Sequence, residues 1–155
     1  MKRIAVTVCL CLLFAGLFYL HYTYNPFEGF NCGGTMVYRA NQVQGRFSYT
    51  VEAKMFFTKD HEGFYALNGT FTHDGQTFNL HRTKFFTYRR KNDQDLYEII
   101  ITRQIISSMD NAPPSATDPV LIPVGTSVLP RFRRIDKRSI IVSLIYSPFF
   151  ICAKE

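Results

Sequence analysis

The chain has 155 residues and a formal net charge of +6, with 46% hydrophobic and 15% aromatic residues. This amount of apolar surface excludes an intrinsically disordered chain, because disorder requires low hydrophobicity and high net charge. The positive residues are spread along the sequence, which argues against the dense basic stripe of a nucleic-acid-binding protein. We therefore expect a folded protein with no nucleic acid among its partners.

An apolar segment opens the chain. Lys2 and Arg3 are followed by Ile4–Leu20, which is 17 residues without a charge. At about 1.5 Å per residue this segment spans about 26 Å, and an extension to Tyr24 brings it to the roughly 30 Å of a bilayer core. The sequence therefore predicts one N-terminal transmembrane helix. Bulky residues follow the apolar core where a signal peptidase needs small ones, so we expect an uncleaved signal anchor.

The charges around this segment predict its orientation. Lys2 and Arg3 precede it, whereas the next positive residue after it is Arg39. Positive residues stay on the cytoplasmic side of a membrane. We therefore expect a single-pass protein of the bacterial inner membrane. Residues 1–24 would form the cytoplasmic N-terminus and anchor, and residues 25–155 one periplasmic domain of ordinary size.

The four cysteines fall into two pairs. Cys9 and Cys11 lie in the apolar segment, where a thiol behaves as a small apolar group. Cys32 and Cys152 lie near the two ends of the remaining chain. In an oxidising compartment this spacing indicates a disulfide between the first and last strands, with two unrelated buried thiols as the alternative.

Alternating hydrophobicity predicts strands after residue 30. Across Gly45–Phe57 apolar and polar residues alternate, which is typical of a strand with one buried face. Asp74 and Gly75 predict a tight hairpin turn, since both central residues of a type I′ turn need positive φ. Arg82 and Lys84 interrupt the next apolar face, which leaves either a bulge or a polar interior open.

About seven such strands define the fold class. Short turns join most of them, and sequential strands joined in this way form antiparallel meanders. We therefore predict an all-β domain, an antiparallel meander that forms a small barrel or a sandwich, preceded by the transmembrane helix.

The sequence contains no motif for catalysis or cofactor binding. The Walker A, GxSxG and GxGxxG patterns are absent. The four histidines lack metal-ligand spacing to one another or to a cysteine. Cys32 is the one plausible nucleophile, and a disulfide would consume it. We therefore predict no enzymatic activity, no cofactor and no metal.

A basic run near the C-terminus allows two interpretations. It comprises Arg131, Arg133, Arg134, Lys137 and Arg138. Charged residues of this kind protect sheet edges and solvate turns. The same cluster would also attract anionic lipid headgroups or an acidic partner protein.

The order of features along the chain resembles the FidL-like membrane proteins of enteric bacteria. The resemblance rests on the basic start and apolar segment, the Cys-Gly-Gly-Thr-Met-Val-Tyr stretch at Cys32–Tyr38, the proline-rich connection at Asp110–Pro119, and the Pro-Phe-Phe-Ile-Cys ending at Pro148–Cys152. It implies a membrane protein and supplies no chemistry. The architecture is also similar to ToxS-type proteins, the small membrane partners of ToxR-like transcriptional regulators.

These resemblances imply a non-enzymatic accessory protein that binds the periplasmic domain of a ToxR-like membrane regulator. Some ToxS-type pairs bind bile salts in a lipocalin-like cavity, which implies the alternative of a small-molecule binding module for a bile salt or lipid. Such a cavity would be lined by Phe47, Tyr49, Met55, Tyr65, Phe71 and Tyr97. The same residues are also compatible with an ordinary packed core.

Overall fold

The computed structural model describes residues 2–23, 25–42, 45–92, 95–144 and 148–154. They form two helices and nine strands, whose bounds in chain order are α1 Lys2–Thr23, β1 Asn31–Gln42, β2 Gly45–Phe57, β3 Glu62–His73, β4 Gln76–Arg90, β5 Tyr97–Ile106, α2 Pro114–Thr117, β6 Ser127–Val128, β7 Arg131–Arg134, β8 Ser139–Ser143 and β9 Pro148–Ala153.

The predicted transmembrane helix is not found. Helix α1 has 22 residues, but no helix among the described residues is both long and apolar enough to cross a membrane. The prediction depended on length: the uncharged run Ile4–Leu20 rises about 26 Å, short of the roughly 30 Å hydrocarbon core. Tyr24, the last residue of the extension that was expected to close this gap, lies outside the described residues. This part of the predicted fold class is therefore wrong.

All nine strands belong to one antiparallel sheet in the order β6-β5-β4-β3-β2-β1-β9-β8-β7. Strands β1 to β5 form the predicted meander, and the all-β prediction is confirmed. The sheet curls into a half-barrel, so the expectation of a small barrel or a two-sheet sandwich is wrong. The strand count is nine, not about seven, in part because one segment is split into two short strands, β6 and β7.

This split segment joins the two ends of the sheet. Ser127 and Val128 pair with β5, whereas Arg131–Arg134 pair with β8. Pro130 lies between them and has no N–H to donate to a strand ladder. At this point the sheet ends touch: the Tyr97 N–H donates to the Pro130 carbonyl over 2.9 Å.

Local sequence explains the hairpin between β3 and β4. Asp74 and Gly75 have φ angles of +48° and +84°, as the predicted type I′ turn requires. The strands that meet at this turn then pair without interruption from His73↔Gln76 to Glu62↔Thr87.

An aromatic cluster fills one end of the curled sheet, which we call the floor. Phe27 stacks on Phe57 at 5.1 Å between ring centroids, and Phe132 contacts Phe27, Phe57 and Tyr97 at 5.6, 5.5 and 5.3 Å. Such ring pairs add to the free energy gained from burying apolar area. The floor therefore consists of aromatic side chains from the segment after α1, from β2, from β5 and from β7.

A disulfide links Cys32 in β1 to Cys152 in β9, with 5.2 Å between their Cα atoms. The predicted pairing is therefore confirmed. Both cysteines are buried, and the adjacent residues Gly33 and Ala153 pair across the two strands. The bond ties the meander to the C-terminal strands, which are distant in sequence.

Removing this disulfide should lower the free energy of unfolding. The bond closes a loop over a sequence separation of 120 residues, for which the chain-entropy model gives about 5 kcal/mol. We expect a loss of about 2–5 kcal/mol for the double variant Cys32→Ser/Cys152→Ser, measured by urea denaturation. The matched control is Cys9→Ser/Cys11→Ser, which removes two exposed free thiols of α1. An equal loss in both variants would contradict the assigned role.

Candidate functional site, an apolar cavity

The concave side of the curled sheet encloses a cavity of about 160 Å³. Its wall combines side chains from most of the strands with three residues of the connection that follows α2. The lining residues are Met36, Tyr49, Val51, Ala53, Met55, Tyr65, Leu67, Leu80, Ile99, Ile101, Val120, Leu121, Ile122, Val128, Pro130, Phe132, Val142, Leu144, Phe149 and Phe150.

Strand β2 contributes four residues to the cavity wall. Its alternate residues Tyr49, Val51, Ala53 and Met55 all line the wall, because side chains at every second position of a strand share a face. Tyr49 and Met55 are six positions apart, a distance of about 20 Å between their Cα atoms at the rise of a strand. The cavity wall therefore includes both ends of this stretch of β2.

The two ends of the cavity differ. Met55 pairs with Cys32 across β1 and β2, so the Met55 end lies beside the disulfide, and Phe132 of the floor closes it. At the other end, Tyr49 pairs with Tyr38. The Met55 end is thus sealed by aromatic side chains.

The Tyr49 end carries the opening, which we call the mouth. The lining residues Leu144 and Phe149 are each 39% exposed. Strand β9 runs antiparallel to β1 from the pair Gly33↔Ala153, so Phe149 lies toward the Tyr38 end of β1. Tyr38, 42% exposed, stacks on Tyr49 with 5.5 Å between centroids. The mouth is therefore flanked by aromatic rings.

The connection from Ser107 to Thr126, which we call the cover segment, packs against the sheet through a buried ion pair. Arg82 Nε donates to Asp110 Oδ2 over 2.8 Å, and Arg82 Nη2 donates to Asp110 Oδ1 over 3.2 Å. Arg82 also donates to the Thr117 hydroxyl and the Ala112 carbonyl. A buried charge is tolerated when it is paired and hydrogen-bonded, as Arg82 is here.

Asp110 completes this network. Its carboxylate also accepts hydrogen bonds from the backbone N–H groups of His81 and Ala112, over 2.9 and 3.1 Å. Burial acts to raise the pKa of Asp110, but the hydrogen bonds from Arg82 and the backbone outweigh it and lower the pKa. The carboxylate is therefore ionised at neutral pH and holds the start of the cover segment.

Lys84 holds the other end of the cover segment. Its side chain is buried, and Nζ donates to the carbonyl of Ile122, a residue of the cavity wall. Burial, together with the nearby Arg82, lowers the pKa of Lys84 to about 8, against a smaller opposing effect of Asp118. The sequence left two alternatives open for Arg82 and Lys84, a bulge or a polar interior. The structure contains both features, because the two side chains are buried and the pairing register of β4 with β5 shifts between Phe85 and Phe86.

Two tyrosines supply hydroxyl groups to the wall. Burial and the neighbouring Tyr38 raise the pKa of Tyr49 to about 12, and burial raises the pKa of Tyr65 further. Both phenols therefore stay protonated at physiological pH. No hydrogen bond to either hydroxyl is found among the described residues, and neither oxygen is fully buried, because every buried side-chain oxygen there has a partner.

Three of the six residues predicted to line a cavity do so: Tyr49, Met55 and Tyr65. Phe71 is wholly buried in the core, and Tyr97 belongs to the floor cluster. Phe47 stacks on Tyr38 with 5.6 Å between centroids, beyond the mouth.

The basic run lies on the hairpin of β7 and β8. Its members Arg131, Arg133, Arg134, Lys137 and Arg138 are all exposed. Arg134 already has internal partners, because Nη2 donates to the Pro26 carbonyl over 3.0 Å and the guanidinium lies 5.5 Å from the Phe30 ring centroid. An anionic partner of this hairpin stays a prediction.

Sequence reasoning missed several wall residues. Met36 lies an even number of positions from Cys32, and Phe150 from Cys152, so each shares a strand face with a disulfide cysteine. That signal could have identified both residues. Val120, Leu121 and Ile122 lie in an irregular connection with no periodicity, so no sequence pattern marks them as lining. The described residues contain no group of side chains suited to hold a metal ion.

The lowered pKa of Lys84 makes stability depend on pH. Its folded pKa of about 8 lies below its ordinary 10.5, so above pH 8 the unfolded chain binds more protons and stability rises with pH. We expect a gain of about 1–2 kcal/mol between pH 8 and 9.5, before exposed tyrosines ionise. Urea denaturation of Lys84→Met should lack this gain, whereas Lys59→Met, a change at an exposed lysine, should retain it. The same gain in Lys84→Met would disprove the assignment.

Comparison with known proteins identifies the family. No curated protein matches the chain. The family model described as "FidL-like putative membrane protein" matches residues 69–152, which is more than half of the chain and extends from the middle of β3 to the disulfide cysteine of β9. The similarity to ToxS-type proteins stays a prediction. The chain therefore belongs to the FidL-like family.

Proposed function

We propose that this protein is a non-enzymatic binding module that holds the apolar part of a small molecule in the cavity of its β domain. The observation that carries the proposal is the enclosed apolar wall, with a sealed floor and an exposed mouth. Protein interiors are otherwise close-packed, so a cavity of this size costs stability unless it is filled.

The volume limits what the cavity accepts. A dry apolar cavity of about 150 Å³ accommodates one benzene molecule, whereas pockets for drug-sized ligands measure roughly 300–1,000 Å³. At about 160 Å³ the cavity accepts a ring or an alkyl segment. A whole bile salt would exceed it, so of the two ligand classes considered above a lipid chain fits better.

The disulfide supports a location outside the cytoplasm. Structural disulfides persist in oxidising compartments and are rare in the cytosol, and Cys32–Cys152 is buried within the sheet. We therefore propose that the β domain works in the bacterial periplasm. The FidL-like family is described as membrane protein, and the exposed apolar side chains of α1, such as Leu12 and Phe14, support the inner membrane as a partner.

Filling the cavity should abolish ligand stabilisation. Ala53 lies on the wall and is 1% exposed, so Ala53→Leu places three further carbon atoms in the void. We expect 1-octanol to raise the melting temperature of the wild-type chain by several degrees through binding to the folded state, and to leave Ala53→Leu unchanged.

The matched control is Thr50→Leu, which adds apolar surface on the exposed face of the same strand. It should keep the wild-type response. Loss of the response in both variants, or its persistence in Ala53→Leu, would count against binding in the cavity. A cooperative thermal transition without octanol would verify that each variant is folded.

A second candidate function is that of an accessory protein for the periplasmic domain of a ToxR-like regulator. The open edge of β5 favours it. Strand β6 pairs only with Ile99 and Ile100 among the described residues, so the C-terminal half of β5 has an unpaired edge. Ile105, Ile106 and Met109 are 47, 49 and 64% exposed there. Such an edge accepts an extended segment of another protein.

A charge at this edge should weaken the complex. We expect Ile106→Lys to reduce co-purification with ToxR-like regulators of the same bacterium at least tenfold, because lysine at a strand edge opposes pairing with another strand. Ile151→Lys in β9, at a residue 59% exposed, is the control and should have no effect. If deletion of this protein leaves the regulator's stability and output unchanged, the accessory function is wrong.

A further inference from the structure

Two groups of basic residues meet at the floor end of the β domain. One is formed by residues 89–91 at the end of β4, and the other is the basic run on the hairpin of β7 and β8. The Lys91 N–H donates to the Leu96 carbonyl over 2.8 Å, and Leu96 forms a β-bridge with Arg131. The two groups are distant in sequence and are therefore neighbours in space.

Carboxylates compensate the first group. Arg89 and Lys91 lie 2.8 and 3.0 Å from the Glu98 carboxylate, and Arg90 lies 3.9 Å from that of Asp95.

The basic run differs, because no carboxylate among the described residues forms an ion pair with any of its members. Residues 131–138 contain five positive residues and one negative residue, Asp136, which leaves a net charge of +4. Since all five cations are exposed, this hairpin is the surface of the floor end that attracts an anionic partner.

An exposed apolar side chain lies at the tip of the hairpin. Ile135 is 52% exposed and lies within the basic run. Hydrogen bonds define the turn around it, since the Ile135 N–H donates to the Ser139 carbonyl over 3.0 Å and the Arg138 N–H donates to the Asp136 carboxylate over 2.7 Å. Cations around an apolar side chain match the interface of an anionic bilayer, where charges meet headgroups and the apolar group enters the acyl boundary.

The hairpin also lies close to the end of α1. Arg134 Nη2 donates to the Pro26 carbonyl over 3.0 Å, and α1 ends at Thr23. Three residues of extended chain span at most about 11 Å, so the end of α1 lies within that distance of Pro26. The last turns of α1 carry exposed apolar side chains, among them Leu17 and Phe18. A bilayer in contact with these side chains is therefore within reach of the basic run.

We propose that the basic run, with Ile135 at its tip, binds anionic phospholipid headgroups at a membrane surface and holds the floor end of the β domain against it. The apolar tip and the nearby end of α1 favour a lipid surface over an acidic protein, because both supply apolar contacts that only a bilayer interface would use. This inference does not involve the cavity, so it stands or fails separately from the proposed function.

A tryptophan at the tip tests the contact with lipid. The chain contains no tryptophan, so Ile135→Trp introduces a single reporter. The full chain is placed in nanodiscs of brominated phosphatidylcholine, whose bromines quench tryptophan at short range, with or without phosphatidylglycerol. We expect strong quenching only in the nanodiscs that contain phosphatidylglycerol. The control is Met109→Trp in the cover segment, at a residue 64% exposed, which should stay unquenched in both.

Two charge variants of the Ile135→Trp chain test the basic run. Arg133→Gln/Arg138→Gln removes two of its exposed cations. Each cation near an anionic surface favours binding about fivefold, so the equilibrium constant for contact should fall about 25-fold and most of the quenching should be lost. The matched control is Arg39→Gln/Arg46→Gln, which removes two exposed arginines near the Tyr49 end of β1 and β2 and should keep the quenching.

Three results would overturn the inference. Equal quenching with and without phosphatidylglycerol would show that charge does not direct the contact, and equal losses in the two charge variants would show attraction by net charge alone. Poly-L-glutamate is the probe for an acidic protein. If it binds the wild-type chain but not Arg133→Gln/Arg138→Gln, while the Ile135→Trp reporter stays unquenched, the hairpin recognises acidic polypeptides and the lipid assignment is wrong. A cooperative thermal transition in each variant verifies folding.

Discussion

The structure depends on the closure of one curled sheet at its floor. A single sheet cannot bury its concave face unless its two ends approach each other, and here the chain between Ser127 and Arg134 joins them by pairing first with β5 and then with β8. Pro130 separates the two pairings, and Phe132 directly after it packs into the aromatic cluster with Phe27 and Tyr97. The Cys32–Cys152 bond ties β1 to β9 beside the same cluster. The cavity exists because this end is closed while the opposite end stays open.

Two buried cations then decide how the concave side is covered. Strand β4 directs Arg82 and Lys84 inward, where each would be costly without partners. The cover segment supplies those partners: Asp110, Ala112 and Thr117 for Arg82, and the Ile122 carbonyl for Lys84. In return, the cover segment is positioned so that Val120, Leu121 and Ile122 form part of the cavity wall. Hydrogen bonds from Arg82 and Lys84 of β4 therefore hold this irregular, proline-rich connection in position.

The functional proposals concern two separate parts of the β domain, the cavity and the edge of β5. Closure leaves an apolar cavity with an exposed mouth, on which the proposal of small-molecule binding rests. The edge of β5 that remains unpaired beyond its short pairing with β6 is the separate surface on which the proposal of a partner protein rests. The family is described as "FidL-like putative membrane protein". Binding in the cavity and pairing at the edge use different residues, so variants of one need not disturb the other.

The sequence by itself determined the strands, the Asp74-Gly75 hairpin and the disulfide, since each depends on local alternation, on local φ requirements or on two cysteines outside the apolar segment. It also indicated the family. It was wrong about a transmembrane helix, and it did not distinguish Tyr49 and Tyr65, which line the cavity, from Phe71 and Tyr97, which fill the core. Alternation reports the face of a sheet on which a side chain lies, but not which element occupies the space opposite. That space is set by the curl of the sheet and by the cover segment, whose residues carry no periodic signal, so only the tertiary structure decided where a cavity remains.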